Sequence, residues 1–150
     1  MAEKNIDVAA DAMVFNRDGD NLEILLVKRK FEPYKDTWAI PGGFVNYDEA
    51  LETAAIRELY EETGVKLTAM KQLYAIGTPG RDPRGHTVSI VFYAFVNPSE
   101  HPLTAGDDAA ETKWINVKDI QTLAFDHAEV LEHAMQTLDL GLYYNRRRID

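Results

Sequence analysis

Residues 8–14 are apolar except for Asp11, which lies with Ala9 and Met13 in a set that alternates with Val8, Ala10, Ala12 and Val14. A second apolar run follows at residues 24–27. Residues 16–21 form a polar, turn-rich cluster between the two runs. Two strand-like segments of this kind on either side of a turn predict a β-hairpin. A short apolar segment at residues 38–40 predicts a third strand, which the Pro-Gly-Gly sequence at residues 41–43 ends.

The strongest helix signal spans residues 48–62, which contain no Gly, Pro or Asn. Asp48 is predicted to be the N-cap, and Gly64 lies where a C-cap glycine ends a helix. Apolar residues at spacings of three and four predict one buried face, made of Leu51, Ala54, Ala55 and Leu59. A second amphipathic helix is predicted at residues 126–140, with Asp126 as its cap.

Further strands are predicted at residues 65–75, 87–96 and 111–117. Strands on both sides of one helix, with another helix near the end, favour the α/β class, and we expect an α/β sandwich around a mixed β-sheet. This domain is expected to occupy residues 1–140. Residues 141–150, which include three arginines, form a short basic C-terminal tail.

Composition and charge narrow the classes of function. The chain has 150 residues, of which 45% are hydrophobic and 27% charged, as in one globular domain. Its net charge of −9 opposes binding to a phosphate backbone, so we expect no nucleic-acid partner. A polyanionic substrate would be repelled too, unless a divalent cation mediates. The absence of cysteine excludes disulfide scaffolds, thiolate metal sites and cysteine nucleophiles.

No apolar run approaches the length that a membrane span needs, so we expect no membrane partner. The first residues lack the apolar core of a secretory signal, and we expect a cytoplasmic protein. The four histidines have no metal-ligand spacing, and we expect them at the surface or as helix caps. They are His86, His101, His127 and His133.

Three glutamates on the first predicted helix are the best candidates for chemistry. At 100° per residue, Glu58, Glu61 and Glu62 share an arc of about 100° on one side of the helix. Carboxylates held together repel one another, and a hard divalent cation removes that repulsion. Oxygen ligands favour Mg²⁺, with Mn²⁺ as an alternative, and Gly42 could add its carbonyl oxygen. Arg57 could orient one carboxylate.

The spacing around these glutamates resembles the Nudix box, G-x5-E-x7-R-E-U-x-E-E-x-G-U, where U is aliphatic. All nine specified positions match, and they are Gly43, Glu49, Arg57, Glu58, Leu59, Glu61, Glu62, Gly64 and Val65. The resemblance implies a Nudix-type α/β/α fold. It also implies that Glu58, Glu61, Glu62 and the carbonyl of Gly42 bind metal, while Arg57 and Glu49 hold the loop and helix together.

The flanks of the box are similar to the ADP-ribose pyrophosphatase branch of the Nudix hydrolases. The similar segments are residues 25–29, 38–44, 81–85, 106–109 and 125–129. In the family a late carboxylate often positions or activates the attacking water. Asp107 and Asp108 are the candidates here, with an ordinary acidic turn as the alternative, and we select Asp108.

Several residues are candidates for holding the substrate. Arg81 and Arg84 could bind phosphate or ribose, because a guanidinium fork matches phosphate oxygens, although a salt bridge within a turn is an equal alternative. Arg29 belongs to the run before the box and is a third candidate. Aromatic residues could stack on a base or belong to the core, and we select Phe44 from Phe31, Tyr34, Trp38, Phe44 and Tyr47.

The sequence therefore predicts Mg²⁺-dependent hydrolysis of the pyrophosphate bond of a nucleoside diphosphate derivative. The preferred substrate is ADP-ribose, giving AMP and ribose 5-phosphate. Alternatives are NADH, a nucleotide sugar or a nucleoside triphosphate. A different alternative is a ligand-sensing module related to the Nudix-type transcriptional regulators of NAD metabolism. Relatives often dimerise, which makes a homodimer an open expectation.

Overall fold

A computed structural model describes residues 4–106 and 108–140 of the chain. The strands are β1 (Asp7–Asp18), β2 (Asn21–Arg29), β3 (Trp38–Ala39), β4 (Gly42–Phe44), β5 (Lys71–Ile76), β6 (Thr87–Phe95) and β7 (Ala109–Asn116). The helices are α1 (Leu51–Thr63) and α2 (His127–Thr137), and short 3-10 turns occur at Pro98–Glu100 and Val117–Asp119.

Strand β1 is the centre of the sheet and is buried on both faces. Its even-numbered residues pack towards α1, where Ala10, Ala12 and Val14 join Ala54, Ala55 and Leu59 in one apolar cluster. Its odd-numbered residues Met13 and Phe15 pack with Val130, Leu131, Ala134 and Met135 of α2. Because side chains alternate across a strand, one sequence supplies both layers. The expected α/β/α sandwich is confirmed.

The sheet is mixed, as expected. Strand β1 is antiparallel to β2 and parallel to β6, and β6 is antiparallel to β5. Strand β7 pairs with the other edge of β2. The hairpin predicted at the start of the chain is confirmed, with Phe15 opposite Ile24 and Asp18 opposite Asn21.

Strands β1 and β2 separate beyond the pair Phe15–Ile24, and this separation positions the site. Strand β3 follows β2 and pairs with Val27 and Lys28. Strand β4 instead runs alongside β1, where it pairs with Ala9, Ala10 and Asp11. The short connection between β3 and β4 therefore crosses the opening between two diverging strands, where its backbone faces a cavity rather than a continuous ladder.

Three local predictions differ from the structure. The strand predicted at residues 65–75 begins only with β5, at Lys71. The segment before it packs Val65 and Met70 against α1 and has no ladder partner. The backbone N–H of Met70 donates to Glu52 instead. Asp48 is not the N-cap of α1, which begins after Ala50. Asp126 does occupy the N-cap position of α2, but its carboxylate makes no capping bond there.

Among the described residues, no helix has the length and apolar character that crossing a bilayer requires. The basic tail predicted at residues 141–150 lies outside the described residues.

The C-terminus of α1 provides a stability prediction. Gly64 has φ 80° and its N–H donates to the carbonyl of Tyr60, as a left-handed C-cap does. A Cβ on Gly64 would also lie 3.1 Å from the backbone nitrogen of Thr104. We expect Gly64→Ala to lower the free energy of unfolding by about 1–2 kcal/mol, because an L-residue is strained in this conformation.

Urea denaturation followed by circular dichroism measures this loss. Gly85→Ala is the matched control, because no atom lies within 4 Å of its Cβ position and its φ is not in the left-handed region. Equal stability of the Gly64→Ala and Gly85→Ala proteins would contradict the assigned role of this cap.

Candidate active site

A cavity of about 340 Å³ occupies the opening between β1 and β2. It is lined from both helical layers, by Glu58 and Glu62 of α1 and by Phe125 and His127 at the start of α2. The cavity also contains the predicted residues Arg29, Gly42, Phe44, Arg81, Arg84 and Asp108. Most of the residues singled out in the sequence thus meet in one place.

The three glutamates of α1 do not share one environment. Glu58 and Glu62, four residues apart, line the cavity, and the side chain of Glu58 is only 15% exposed. Burial raises the pKa of Glu62 to about 8, although a hydrogen bond from Gly42 opposes the shift. Burial likewise raises the pKa of Glu58. The side chain of Glu61 is 54% exposed and lies outside the cavity lining, so the helix presents two carboxylates rather than three.

Arg57 ties the helix to the loop that precedes it. Its guanidinium forms a fork on Glu49, with Nε to Oε2 at 2.7 Å and Nη2 to Oε1 at 2.9 Å. Nη1 donates to Glu58 at 2.8 Å, and Nη2 donates to the carbonyl of Phe44 at 3.1 Å. Hydrogen bonds from Arg57 lower the pKa of Glu49 to about 2. Arg57 thus fixes the direction of the Glu58 carboxylate.

The glycine pair at the end of the β3–β4 connection allows the loop to approach α1 closely. The N–H of Gly42 donates to Glu62 Oε1 at 2.8 Å. A Cβ on Gly43 would lie 2.5 Å from Cδ of Glu58, a carboxylate that Arg57 already holds. A side chain at position 43 would therefore push Glu58 out of place.

The donor set of the cavity fits a hard divalent cation. Glu58 and Glu62 bring two partly or fully buried carboxylates together, and Gly42 brings its peptide group beside them. A buried carboxylate oxygen, Oδ2 of Asp11, has no hydrogen-bond partner in the described part of the chain. Oxygen donors of this kind suit Mg²⁺ or Mn²⁺. Among the described residues, however, no three His, Asp or Glu side chains are already grouped closely enough to hold a metal ion.

The late carboxylate also reaches the cavity. Asp108 is exposed and lines the cavity rim, and its carbonyl accepts from the N–H of Lys30 at 3.4 Å. Its neighbour Asp107 lies outside the described residues. Asp108 is therefore close to the two buried glutamates while remaining open to water.

The three candidate arginines are held differently. Arg81 is turned inwards, with a side chain 5% exposed that forms a fork on Asp126 at 2.9 Å and donates to Ser89 at 2.7 Å. Arg84 is 46% exposed and is held by Asp82. Although burial works the other way, hydrogen bonds from Arg84 lower the pKa of Asp82. Arg84 is thus the more accessible of these two guanidinium groups.

Arg29 lies on the same side of the cavity as Arg84. Its Nε donates to the carbonyl of Pro33 at 2.6 Å, and its guanidinium lies 5.0 Å from the centre of the Phe125 ring. Burial, and then the charge of Arg84, lower the pKa of Arg29. Two neighbouring cations therefore share one wall of the cavity.

Aromatic rings border these arginines. Phe44 is 41% exposed, and the Arg84 guanidinium lies 5.2 Å from its ring centre. Phe31, another aromatic candidate, also lines the cavity. The remaining candidates, Tyr34, Trp38 and Tyr47, are not part of its lining.

Sequence reasoning missed several residues of the cavity wall, which are Asp11, Glu32, Asp82 and Ser89. Asp11 could have been found, because it is a lone acid in an otherwise apolar alternating strand. It is 6% exposed, and burial raises its pKa to about 7. Ser89 is a polar residue in the next buried strand and is 3% exposed.

His127 corrects the expectation that the histidines lie at the surface. It is 6% exposed, and its Nδ1 accepts from the N–H of Ile40 at 3.0 Å. The neutral ring therefore carries its proton on Nε2. This bond joins the start of α2 to the segment that leads into Gly42.

Comparison with known proteins shows which family the chain belongs to. The family model for the NUDIX domain matches residues 6–134. Over 129 residues the chain is 43% identical to an ADP-ribose pyrophosphatase of Methanocaldococcus jannaschii, a match that covers 86% of this chain and 73% of that protein. The chain therefore belongs to the Nudix family, and the predicted class of enzyme, a Nudix hydrolase, is confirmed.

Two further relatives bear on the ligand. The chain is 33% identical over 136 residues to the ADPR responsive transcriptional repressor NtrR of Acinetobacter baylyi, covering 88% of this chain and 54% of the repressor. The NUDIX domain of Shewanella oneidensis NrtR complexed with ADP ribose superposes with a TM-score of 0.83 at 31% identity, covering 91% of this chain and 90% of that one. Both relatives are linked to ADP-ribose.

The buried histidine provides a prediction for stability against pH. Burial lowers the pKa of His127 from 6.5 to about 4. Between these values the unfolded chain takes up a proton that the folded protein does not, so stability falls as the pH falls from 6.5 to 4. The full contribution is about 3 kcal/mol of unfolding free energy, because each pH unit between the two pKa values corresponds to about 1.4 kcal/mol.

Urea denaturation at a series of pH values measures this dependence. His127→Gln is the comparison, because the glutamine oxygen can accept from Ile40 but does not titrate. We expect the variant to lose less stability than the wild type over this range. Parallel profiles for the two proteins would show that His127 is not the titrating group.

Proposed function

We propose that the protein hydrolyses the pyrophosphate bond of ADP-ribose, with Mg²⁺ as its cofactor and Mn²⁺ as an alternative metal. One water is consumed: its oxygen forms a new bond to phosphorus as a bridging P–O bond breaks, and the products are AMP and ribose 5-phosphate. The observation that carries the proposal is the polarity of the cavity. Its lining combines two partly buried carboxylates, Glu58 and Glu62, with the arginines Arg29 and Arg84.

This polarity suits a diphosphate flanked by two sugars. A Nudix cation would be held by Glu58, Glu62 and the carbonyl of Gly42, with Glu61 as a further family ligand. When bound, it neutralises the pyrophosphate and lowers the pKa of bound water. Arg57 holds the Glu58 carboxylate in place, so less reorganisation of the protein is needed when substrate binds.

Further residues of the lining would hold the rest of the substrate. Arg84, oriented by Asp82, and Arg29 offer guanidinium groups to phosphate oxygens or ribose hydroxyls. Phe44 borders Arg84 and offers a ring face to the base. Arg81 remains a candidate for binding substrate. It would act mainly by holding the cavity wall in place. A cavity of about 340 Å³ is large enough for a small-molecule ligand.

Asp108 is our candidate for the group that receives the proton of the attacking water. It is open to solvent on the cavity rim, so a proton taken there can leave to bulk water. Its charge also lies near Glu58 and Glu62, which keeps the acidic end of the cavity attractive to a cation.

A second candidate function is ligand sensing, which the 33% identity to an ADPR responsive repressor favours. The chain spans 54% of that protein's length. Both functions use the same ligand and differ in turnover. We prefer the enzyme because every acidic position of the box is present. Three further expectations remain predictions: the absence of a nucleic-acid partner, a cytoplasmic location and a homodimer.

Steady-state assays with Mg²⁺ test the reaction and the division of roles among the glutamates. We expect ADP-ribose to give the highest kcat/KM in a panel with NADH, a nucleotide sugar and a nucleoside triphosphate. Glu62→Gln should lower kcat/KM by about 100-fold or more, because it removes a carboxylate that would hold the cation. Glu61→Gln should lower it by about tenfold at most, because Glu61 is 54% exposed.

Glu129→Gln is the control for losing one glutamate charge, since Glu129 is exposed on α2 outside the cavity. A tenfold preference for a triphosphate would overturn the substrate. Tight ADP-ribose binding without turnover in Mg²⁺ or Mn²⁺ would instead identify a sensor.

A further inference from the structure

Asp11 is an anomaly in the central strand. It is the one charged residue within the buried run of β1 from residue 9 to residue 15, and it is 6% exposed. Its backbone lies opposite Gly42 in the β1–β4 pairing. A Cβ on Gly42 would overlap Oδ1 of Asp11. The carboxylate therefore lies directly against the peptide that also donates to Glu62.

A chain of hydrogen bonds fixes the direction of the Asp11 carboxylate. Asp126 holds the Arg81 guanidinium by two bonds of 2.9 Å. Arg81 then donates to Oγ of Ser89 at 2.7 Å, which leaves the hydroxyl hydrogen of Ser89 free for the hydrogen bond that Ser89 makes with Asp11. Three residues, from the start of α2 to β6, thus serve to hold one acid on β1.

The second oxygen of this acid, Oδ2, has no hydrogen-bond partner in the described part of the chain. A buried acceptor without a donor is costly, and a carboxylate more so than a neutral group. The positive charge of Arg81 and the hydrogen bond from Ser89 offset part of this cost, whereas the charges of Asp126 and Glu58 add to it. Packing alone would favour an apolar side chain at this position. The arrangement therefore suggests a donor that arrives with a ligand.

We propose that Asp11 is a positioning residue for the divalent cation, with Oδ2 accepting hydrogen bonds from water molecules that hydrate it. Mg²⁺ keeps several of its waters in protein sites and is held by only one or two carboxylates. Such waters are strong donors and need acceptors around the site. This inference rests on the proposed function, since it assigns Asp11 a role at the same cation site.

Binding of Mn²⁺ alone, without nucleotide, tests the proposal apart from activity. Electron paramagnetic resonance measures free Mn²⁺ during a titration, and the relaxation rate of water protons reports the waters on the bound ion. We expect Asp11→Asn to weaken Mn²⁺ binding at least fivefold and to change the relaxation rate per bound ion. Asp18→Asn is the matched control, because it removes the same charge from an exposed position of β1 and should bind within twofold of wild type.

Ser89→Ala provides a second variant in case Asp11→Asn does not fold. It keeps the carboxylate but removes the hydroxyl that directs it, and we expect at least threefold weaker Mn²⁺ binding. Wild-type binding by a folded Asp11→Asn protein, or by Ser89→Ala if the first variant is unfolded, would overturn the proposal. Failure of wild-type protein to bind Mn²⁺ would refute the cation site itself, and with it the proposed function.

Discussion

The site depends on the contact between the Arg57 guanidinium and the loop that leads into α1. One side chain binds the Glu49 carboxylate through two nitrogens and the Glu58 carboxylate through a third, and it also binds the carbonyl of Phe44. A lysine could not make these contacts together, because it lacks the planar fork. Arg57 thus sets where β4 lies against the helix.

The second constraint is the burial of negative charge. Glu62, Glu58 and Asp11 face one cavity, and burial raises the pKa of each. The protein tolerates them because each is held by a donor, from Gly42, Arg57 and Ser89 respectively. Burying these carboxylates costs stability, and the apolar layers on both sides of β1 offset that cost.

The sequence predicted most of the elements and the core of the site for physical reasons. Period-two alternation located the first hairpin, and the left-handed Gly64 located the end of α1. Helical spacing placed Glu58 and Glu62 on one side, yet it also included Glu61, which the helix turns towards solvent. An arc of about 100° is wide enough for Glu58 and Glu62 to face the cavity while Glu61 faces solvent.

Other features depend on contacts between segments distant in the sequence. Arg81 was a candidate for binding substrate, with a salt bridge within its own turn as the alternative. Its fork lies instead on Asp126, 45 residues further along the chain. The strand predicted from residue 65 was shortened because its first residues pack on α1. The place of Asp11 beside Gly42 depends on the pairing of β1 with β4. Local pattern identifies such residues as unusual but does not identify their partners.

The anomalous scattering of Mn²⁺ in crystals soaked with the ion tests the central claim, that Arg57 and the glycine loop assemble a cation site inside this cavity. We expect a peak within about 2–2.4 Å of a carboxylate oxygen of Glu62 or Glu58, on the cavity side of α1. A peak at the exposed carboxylate of Glu61, with none inside the cavity, would contradict it.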